Sequence, residues 1–237
     1  MKNVFVLQGR SQAAGSLAEI MQTCYNVGMD IRRFLIENKF YHGSLSTIEK
    51  PDSSFSLANP FSDFGAAFYL TSIFSQAKNW GSKKAKEKNI NTYKVNQYSF
   101  SDVSGLRIVL FEEPDRNWLE TVYQGRLGRK LPFDIVIGPV ADGQLLKTLN
   151  WYGNARKRRE RMSESEIEEM EYEAIKGLKV DKRMDQYALL NEKALKRLVF
   201  EKVYICDIYN GVIRESAPSG LLMENKRKSN KDGRGER

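Results

Sequence analysis

The sequence predicts an α+β fold in which strongly bent antiparallel strands form the core and helices flank it. Hydrophobic residues make up 41% of the 237 residues and aromatic residues 11%, which is enough to bury a core. Short strand-like runs are interrupted by helical stretches, but not in the regular alternation that a parallel doubly wound sheet requires. The length fits one domain with extensions.

The first predicted element is an amphipathic helix over residues 16–37. Ser16 and Glu19 have the spacing of a capping box, and apolar residues follow at intervals of three and four. Gly28 weakens the helix. The apolar face either packs on the chain's own core or docks a partner protein, because the pattern approaches a heptad seam.

A mixed pattern begins at residue 39. Strand-like runs occupy residues 40–42, 67–72, 90–98, 106–111, 133–138, 186–190 and 200–209. Helical stretches lie near residues 73–88, 114–126, 142–152 and 164–177. The last helix begins with a second capping box, Ser163 and Glu166, and Gly177 is placed to end it.

Composition divides the chain into an N-terminal helical extension (1–38), a central domain (39–210) and a basic tail (211–237) expected to be disordered. The net charge of +8 is concentrated in two segments. Residues 156–161 carry five positive charges and one negative, and residues 226–237 carry six and two. Each segment fits a solvated loop or tail, or contact with nucleic acid or another polyanion.

Composition also excludes several kinds of site. Two cysteines, Cys24 and Cys206, are too few for a disulfide framework or a zinc site, and Cys206 lies in an apolar run that predicts a packed thiol. A cysteine hydrolase that pairs Cys206 with His42 has no local motif in its favour. We find no signal peptide and no run near the ~18 apolar residues of a membrane span. We therefore expect a cytoplasmic protein without a metal site or membrane contact.

The informative segments share polar or aromatic residues at strand ends, beside a glycine or a turn. They are YHGS (41–44), DFGAAFYLTSIFSQAKNW (63–80), FDIVIGPVADG (133–143) and DQYALL (185–190). The residues in question are His42, Tyr69, Trp80 and Gln186. Strand ends that converge on a cleft commonly build binding sites. No phosphate-binding loop, dinucleotide fingerprint or hydrolase motif accompanies them.

Taken in order, these segments resemble the ADP-ribosyltransferase superfamily, in its diphtheria-toxin-like branch that includes the poly(ADP-ribose) polymerases. In that branch an HGS strand precedes FGxGxYF, a helix begins near SxSAxxY, and a later strand opens with a catalytic glutamate in EY. The matching stretches are HGS at 42–44, FGAAFYL at 64–70, SQAKNW at 75–80 and QYALL at 186–190. The sequence resembles still more closely an uncharacterised bacterial family with YHGS, DFGxGFYLT, QAxxWA and DIVIGPVADD motifs. The resemblance covers residues 39–205 and implies an ADP-ribosyltransferase-like split of the antiparallel core.

The resemblance implies an NAD site. By matching positions, the backbone of Gly43 would hold the nicotinamide carboxamide, and His42 would bond the adenosine ribose with Ser44 beside it. Tyr69 would stack on the nicotinamide ring, and Trp80 falls where the family places a second aromatic residue. A glycine lets a ligand approach the backbone closely, and an indole face suits a cationic pyridinium.

Three residues depart from the family pattern. Ala67 replaces a glycine, Ala77 replaces a serine that would bond the carboxamide, and Gln186 replaces the catalytic glutamate. A carboxylate stabilises an oxocarbenium-like transition state, so its loss could cost up to ~4 kcal/mol. Glutamine can still hydrogen-bond the ribose and orient it. The expected catalytic residues are Gln186, His42 and Tyr69.

Other acidic residues have expected roles near these motifs. Asp185 and Glu192 are alternative sources of a carboxylate, although Asp185 should point to the opposite face of the strand from Gln186. Asp63 should shape the turn before the Tyr69 strand. For Asp142, we favour a structural or helix-capping role over a place in the cleft.

The resemblance implies a mono-ADP-ribosyltransferase that transfers ADP-ribose from NAD to a protein or nucleic-acid acceptor and releases nicotinamide. Such an enzyme would suit a bacterial toxin or host-modifying factor, and the helix at 16–37 would then suit an antitoxin-like partner. The alternatives are an NAD glycohydrolase, a non-catalytic module that binds NAD, ADP-ribose or a partner, and an unrelated basic nucleic-acid-binding protein. Chain extension is not expected without the glutamate.

Overall fold

The computed structural model of the chain describes residues 4–7, 31–54, 61–141 and 144–218. The predictions that fall outside these residues concern Ser16, Glu19, Cys24, Gly28, Asp142 and the segment 226–237. The helix predicted over residues 16–37 is described only at its end, where Ile31–Glu37 is helical.

The described residues form nine strands and six α-helices. The strands are β1 (Val4–Leu7), β2 (Phe40–Ser44), β3 (Phe68–Leu70), β4 (Thr92–Phe100), β5 (Ile108–Phe111), β6 (Ile135–Val140), β7 (Asp181–Leu189), β8 (Leu198–Asp207) and β9 (Gly211–Ser216). The helices are α1 (Ile31–Glu37), α2 (Phe74–Glu87), α3 (Arg116–Arg126), α4 (Leu145–Ala155), α5 (Glu164–Gly177) and α6 (Glu192–Leu195). Among them, none has the length and apolarity needed to cross a bilayer.

The strands form two sheets, and the predicted α+β class is confirmed. One sheet has the order β2-β4-β8-β9 and is antiparallel, as expected. The other has the order β1-β5-β6-β7-β3, in which β5 runs parallel to both β1 and β6. The antiparallel prediction does not hold for these pairs. Helix α3 carries the chain from the end of β5 back to the start of β6, so these two strands run in the same direction.

Among the described residues, backbone hydrogen bonds join the two sheets at one bridge, beyond which β2 and β3 separate. The backbone of Tyr41 in β2 exchanges two hydrogen bonds with Thr71, just after β3, with N–H to oxygen distances of 2.8 and 3.0 Å. Nearby, the rings of Phe40 and Tyr187 pack edge to face with centroids 4.7 Å apart. Beyond Tyr41, β2 pairs with β4 alone among the described strands. A gap therefore opens beside the last residues of β2.

The core has two main parts. The first lies between the sheets and includes Phe40, Phe68 and Tyr98. The second surrounds Trp118 of α3, which is fully buried with residues of β5, β6, α4 and α5. Burial of each large apolar side chain stabilises the fold by about 1.5–3 kcal/mol. Apolar packing in these two clusters therefore holds the strands on both sides of the gap in place.

Helix α5 begins and ends as predicted. The backbone N–H of Ser163 donates to Glu166 Oε2 at 2.7 Å, and the N–H of Glu166 donates to Ser163 Oγ at 3.4 Å. Both halves of the capping box are thus present. Gly177 is the last helical residue.

The tail was predicted to begin at residue 211, and this is wrong for its first residues. Gly211–Ser216 forms β9 and pairs antiparallel with β8. The carboxylate of Asp207 accepts the N–H groups of Tyr209 and Asn210, and Gly211 has a φ of 77°, which favours glycine. The polar residues that resembled a disordered tail therefore close a hairpin.

The basic segment Arg156–Arg161 is a 3₁₀ turn. The guanidinium of Arg156 pairs with Glu120 at 3.0 Å, and that of Arg159 lies 3.6 Å from Glu171. The solvated-loop interpretation is therefore wrong for these two arginines. The cations of the segment that remain exposed are Lys157, Arg158 and Arg161.

Candidate functional site

A cleft of about 400 Å³ opens where β2 and β3 separate. Five of the residues that the sequence singled out line it: His42, Ser44, Tyr69, Trp80 and Gln186. They come from β2, β3, α2 and β7, so both sheets and one helix contribute. The motifs thus lie around one cavity, but the prediction that their residues occupy strand ends is wrong. His42, Tyr69 and Gln186 lie within their strands, and Trp80 lies within a helix.

His42 presents a neutral ring to this cleft. The ring stacks on Phe68 with centroids 4.6 Å apart, and Nδ1 lies 2.7 Å from the carbonyl oxygen of Tyr69. Because a carbonyl can only accept, Nδ1 carries the proton and Nε2 is left as an acceptor. Burial, together with the nearby charge of Lys84, lowers the pKa of His42 to about 3. The imidazole is therefore uncharged at neutral pH.

Gly43 is buried against helix α2. A Cβ at this position would lie 2.0 Å from the carbonyl oxygen of Ala77 and 2.7 Å from the backbone nitrogen of Gly81. Glycine at position 43 therefore allows helix α2 to approach the strand closely. The sequence suggested instead that this glycine allows a ligand to approach. Backbone groups alternate along a strand, so those of Gly43 point towards the gap like those of Tyr41. Its carbonyl oxygen accepts a hydrogen bond from Lys84 Nζ at 3.0 Å.

Ser44 holds one wall of the cleft. Its hydroxyl donates to the carbonyl oxygen of Ser46 at 2.5 Å and accepts from Asn96 Nδ2 at 2.9 Å. The same Asn96 accepts the backbone N–H of Ile48 at 2.9 Å. This network fixes the loop that follows β2.

The hydroxyl of Tyr69 is hydrogen-bonded to the backbone of the turn that precedes β3. It donates to the carbonyl oxygen of Gly65 at 2.8 Å and accepts the N–H of Phe64 at 3.0 Å. Burial raises the pKa of the Tyr69 phenol, and the carboxylate of Asp63 raises it further. The two hydrogen bonds of the hydroxyl therefore hold the Tyr69 ring in the lining of the cleft. Ala67, where the sequence resemblance leads one to expect a glycine, lines the same cleft.

Helix α2 contributes two residues. Trp80 and Lys84 are four residues apart, so they share one helix face, and both line the cleft. Burial lowers the pKa of Lys84. An indole ring and an ammonium group are thus presented from the same side.

Gln186 is tied to a buried carboxylate. Its Nε2 donates to Asp63 Oδ2 at 2.8 Å and to the carbonyl oxygen of Pro139 at 3.1 Å. Asp63 also accepts the N–H of Ala141 at 2.9 Å and pairs with the guanidinium of Arg126. Asp63 and Gln186 are each 4% exposed. The nitrogen of the Gln186 amide is therefore held by two buried acceptors.

Asp63, Lys84 and Arg126 line the cleft but were not predicted as site residues. The helical spacing from Trp80 to Lys84 is a signal that the sequence could have supplied. Asp63 was predicted only to shape a turn. Its contact with Gln186 joins residues 123 positions apart, so no local pattern reveals it.

Several residues that the sequence raised lie outside the cleft lining. Ala77 packs against β2. Asp185 accepts the N–H of Ser72 at 3.1 Å, and Glu192 accepts a backbone N–H at 2.7 Å. Cys206 is fully buried on β8, as predicted for a packed thiol. A cysteine hydrolase that uses Cys206 and His42 is therefore not supported.

The charges of the cleft favour an anionic ligand. Its lining contains two cations, Lys84 and Arg126, and one carboxylate, Asp63. Guanidinium and ammonium groups bind phosphate oxygens through charge-assisted hydrogen bonds. Within the part of the chain that the structure describes, no group of three or more residues could hold a metal ion.

A family model described as "Protein of unknown function (DUF3990)" matches residues 38–200, which is more than half of the chain. The chain belongs to the DUF3990 family. The DUF3990 region runs from just before β2 into β8, so it contains every residue of the cleft. No curated protein and no solved structure matches the chain significantly.

Proposed function

We propose that this DUF3990 protein is an NAD-dependent mono-ADP-ribosyltransferase. The observation that carries the proposal is the meeting of His42, Tyr69, Trp80 and Gln186 at one cleft, where the sequence resemblance assigns NAD. These residues lie on four separate elements, so their proximity does not follow from the motifs alone.

The chemistry of the lining suits the parts of NAD. The rings of Tyr69 and Trp80 offer faces for the nicotinamide, which is a cationic pyridinium in NAD. The Nε2 of His42 can accept a hydrogen bond from a ribose hydroxyl. Lys84 and Arg126 suit the diphosphate.

The reaction requires little from the protein beyond orientation. The bond between the nicotinamide nitrogen and the anomeric carbon breaks, and its electron pair leaves with neutral nicotinamide. An acceptor nucleophile supplies the pair for the new bond at that carbon and loses its proton. Gln186 would hold a ribose hydroxyl through its carbonyl oxygen, so positioning replaces the charge of a glutamate.

One observation favours a second candidate, a non-catalytic module that binds NAD or ADP-ribose. Asp63 is the cleft carboxylate, and its oxygens already accept bonds from Arg126, Ala141 and Gln186. Without a carboxylate free to face the oxocarbenium-like transition state, binding could persist with little turnover. A glycohydrolase would use the same site with water as acceptor.

Labelled NAD distinguishes these candidates. The full chain would be incubated with a bacterial lysate and NAD labelled in its adenine half, with Tyr69→Ala as the test variant. Tyr209→Ala is the matched control, because this exposed tyrosine lies in the β8–β9 turn. We expect label in macromolecules that is lost in Tyr69→Ala and kept in Tyr209→Ala. Protease and nuclease sensitivity would then identify the acceptor as protein or nucleic acid.

The other outcomes assign the alternatives. Loss of NAD without incorporation of label would indicate a glycohydrolase. Neither loss nor incorporation, with NAD still bound, would contradict the transferase and leave the binding module.

A further inference from the structure

The hydrogen bonds of Gln186 fix which way its amide faces. Asp63 Oδ2 and the carbonyl oxygen of Pro139 lie 2.8 and 3.1 Å from the same amide atom, and a carboxylate and a carbonyl can only accept. That atom must therefore be the nitrogen. The opposite orientation would place an amide oxygen against two other oxygens.

The carbonyl oxygen of Gln186 is consequently left for the cleft. No described residue donates a hydrogen bond to it, and it is not among the fully buried atoms that lack partners. Gln186 lines the cleft. A donor on a ligand, such as a sugar hydroxyl, is the complement to this oxygen.

Both carboxylate oxygens of Asp63 already accept hydrogen bonds. One of its oxygens accepts from Arg126, and the other accepts from Ala141 N–H and from Gln186. Four donor contacts thus hold both oxygens of this buried carboxylate in place. It therefore offers Gln186 an acceptor that does not rotate away.

We propose that Asp63 is a positioning residue that turns the carbonyl oxygen of Gln186 towards the cleft, and that residue 186 must be an amide beside this carboxylate. The identity of the group that this oxygen binds rests on the proposed function. The coupling between the two side chains does not.

The proposal predicts that a glutamate at position 186, the residue that the sequence resemblance leads one to expect there, would be repelled by Asp63. A carboxylate at position 186 would place an oxygen about 2.8 Å from Asp63 Oδ2. The other titratable or charged groups that face this pair are Arg126 from α3, Tyr69 from β3, Lys84 from α2 and His42 from β2. Arg126 already bonds the other oxygen of Asp63, so it does not separate the two carboxylates.

The sign of the pH effect follows from this repulsion. In Gln186→Glu, one carboxyl of the pair has a pKa above its unfolded value of about 4. The folded state then holds a proton that the unfolded state releases, so stability falls as the pH rises through the raised pKa. The variant should be closest to the parent protein at low pH.

Thermal unfolding of the full chain tests the coupling without any ligand. The variants are Gln186→Glu, Asp63→Asn and the double variant, each measured from pH 5 to pH 8. Gln186→Met is the matched control, because it removes the same hydrogen bonds without adding a charge. We expect the melting temperature of Gln186→Glu to fall further below that of the parent as the pH rises, and that of Gln186→Met to keep a constant offset.

The double variant completes the test. An asparagine at 63 can donate to a glutamate at 186, although its amide then meets the N–H of Ala141. We therefore expect the double variant to lose less than the sum of the two single losses, rather than to recover fully. Additive losses, or a Gln186→Glu protein as stable as the parent at pH 8, would overturn the proposal. If Gln186→Glu does not fold at pH 8, refolding at pH 5 supports the proposal and continued failure there contradicts it.

NAD consumption in the same variants separates this inference from the proposed function. If the parent consumes NAD, we expect Gln186→Glu to be slower despite its family-like glutamate. One outcome is that the protein neither consumes nor binds NAD while the stability losses of the double variant are less than additive. That result would refute the proposed function and support the pairing of Asp63 with Gln186. Faster consumption by Gln186→Glu together with additive stabilities would refute the pairing alone.

Discussion

At the scale of single residues, Tyr69 shows how a polar group can hold an aromatic face in place. Its hydroxyl bonds Gly65 and Phe64 of the preceding turn, while its ring lines the cleft. Neither bond uses a group that a ligand would need. The hydroxyl and the ring should therefore have separable effects.

We expect Tyr69→Phe to lower stability but to retain function. Loss of the hydroxyl leaves the Gly65 carbonyl and the Phe64 N–H without partners, which should cost about 1–3 kcal/mol in the free energy of unfolding. The ring remains, so NAD binding per folded molecule should change little, whereas Tyr69→Ala should abolish it. Denaturant titration and NAD binding measured on the same samples would check this. Loss of NAD binding in folded Tyr69→Phe would show that the hydroxyl itself contacts the ligand.

His42 gives a second prediction. It is the only histidine of the chain, so its imidazole NMR signals need no assignment. Because burial lowers its pKa to about 3, the signals should show no titration between pH 8 and pH 5. A midpoint near the ordinary value of about 6.5 would contradict the neutral ring.

The same shift makes stability depend on pH. The unfolded state binds a proton at His42 that the folded state excludes, so this contribution is complete above pH 6.5 and is lost as the pH falls towards 3. At pH 5, about 1.5 units below the ordinary pKa of histidine, the loss should be at most about 2 kcal/mol, and solvent at the partly exposed ring reduces it further. His42→Gln should lack this dependence when both proteins are unfolded by denaturant across the range.

At the scale of secondary-structure elements, the contact between β2 and α2 decides the shape of the cleft. Gly43 lets the helix backbone approach the strand, and the same helix carries Trp80 and Lys84 to the cavity. A displacement of α2 would therefore move the aromatic and cationic lining together.

We expect Gly43→Ala to destabilise the protein by about 3 kcal/mol or more, because its Cβ would lie 2.0 Å from the carbonyl oxygen of Ala77. Gly105→Ala is the matched comparison, since nothing lies within 4 Å of its Cβ and only its φ of 69° opposes alanine. That strain should cost about 1–2 kcal/mol. Equal losses in the two variants, measured by denaturant unfolding, would show that α2 shifts easily and does not depend on the glycine.

Local sequence patterns predicted the bounds of helix α5 well, but not the strands β1 and β9 or the pairing of the strands. The capping box at Ser163 and Glu166 and the end of α5 at Gly177 follow from neighbours in sequence, and the structure has both. The parallel course of β5 and β6 depends on where α3 returns the chain, which periodicity does not encode. The folded turn at Arg156–Arg161 depends on partners in α3 and α5, which the charge count could not reveal.

The sequence likewise predicted only some of the residues that line the cleft. Motif order pointed to Tyr69, Trp80 and Gln186, because each lies in a recognisable segment. Asp63 and Arg126 reach the cleft through contacts distant in sequence, so no spacing rule identifies them. The sequence also did not reveal the reason for glycine at position 43, because the backbone that it contacts belongs to helix α2.

At the scale of the whole molecule, the separation of two sheets creates the cavity. The sheets meet at Tyr41 and Thr71, and the cleft residues come from both sides of that junction. Both core clusters lie against strands that border it. A ligand in the cleft would therefore contact both sheets and α2, and binding should raise the stability of the whole domain.

Binding of NAD to this cleft can be measured by following the His42 imidazole signals while NAD is added to the full chain. We expect a saturable shift, weakened about tenfold or more in Trp80→Ala, because removal of a stacking aromatic typically costs about 1–3 kcal/mol. Trp151→Ala is the control, since this tryptophan is exposed on α4 and does not line the cleft. Signals that do not move at millimolar NAD in a folded protein, or equal weakening by Trp151→Ala, would contradict NAD binding in this cleft.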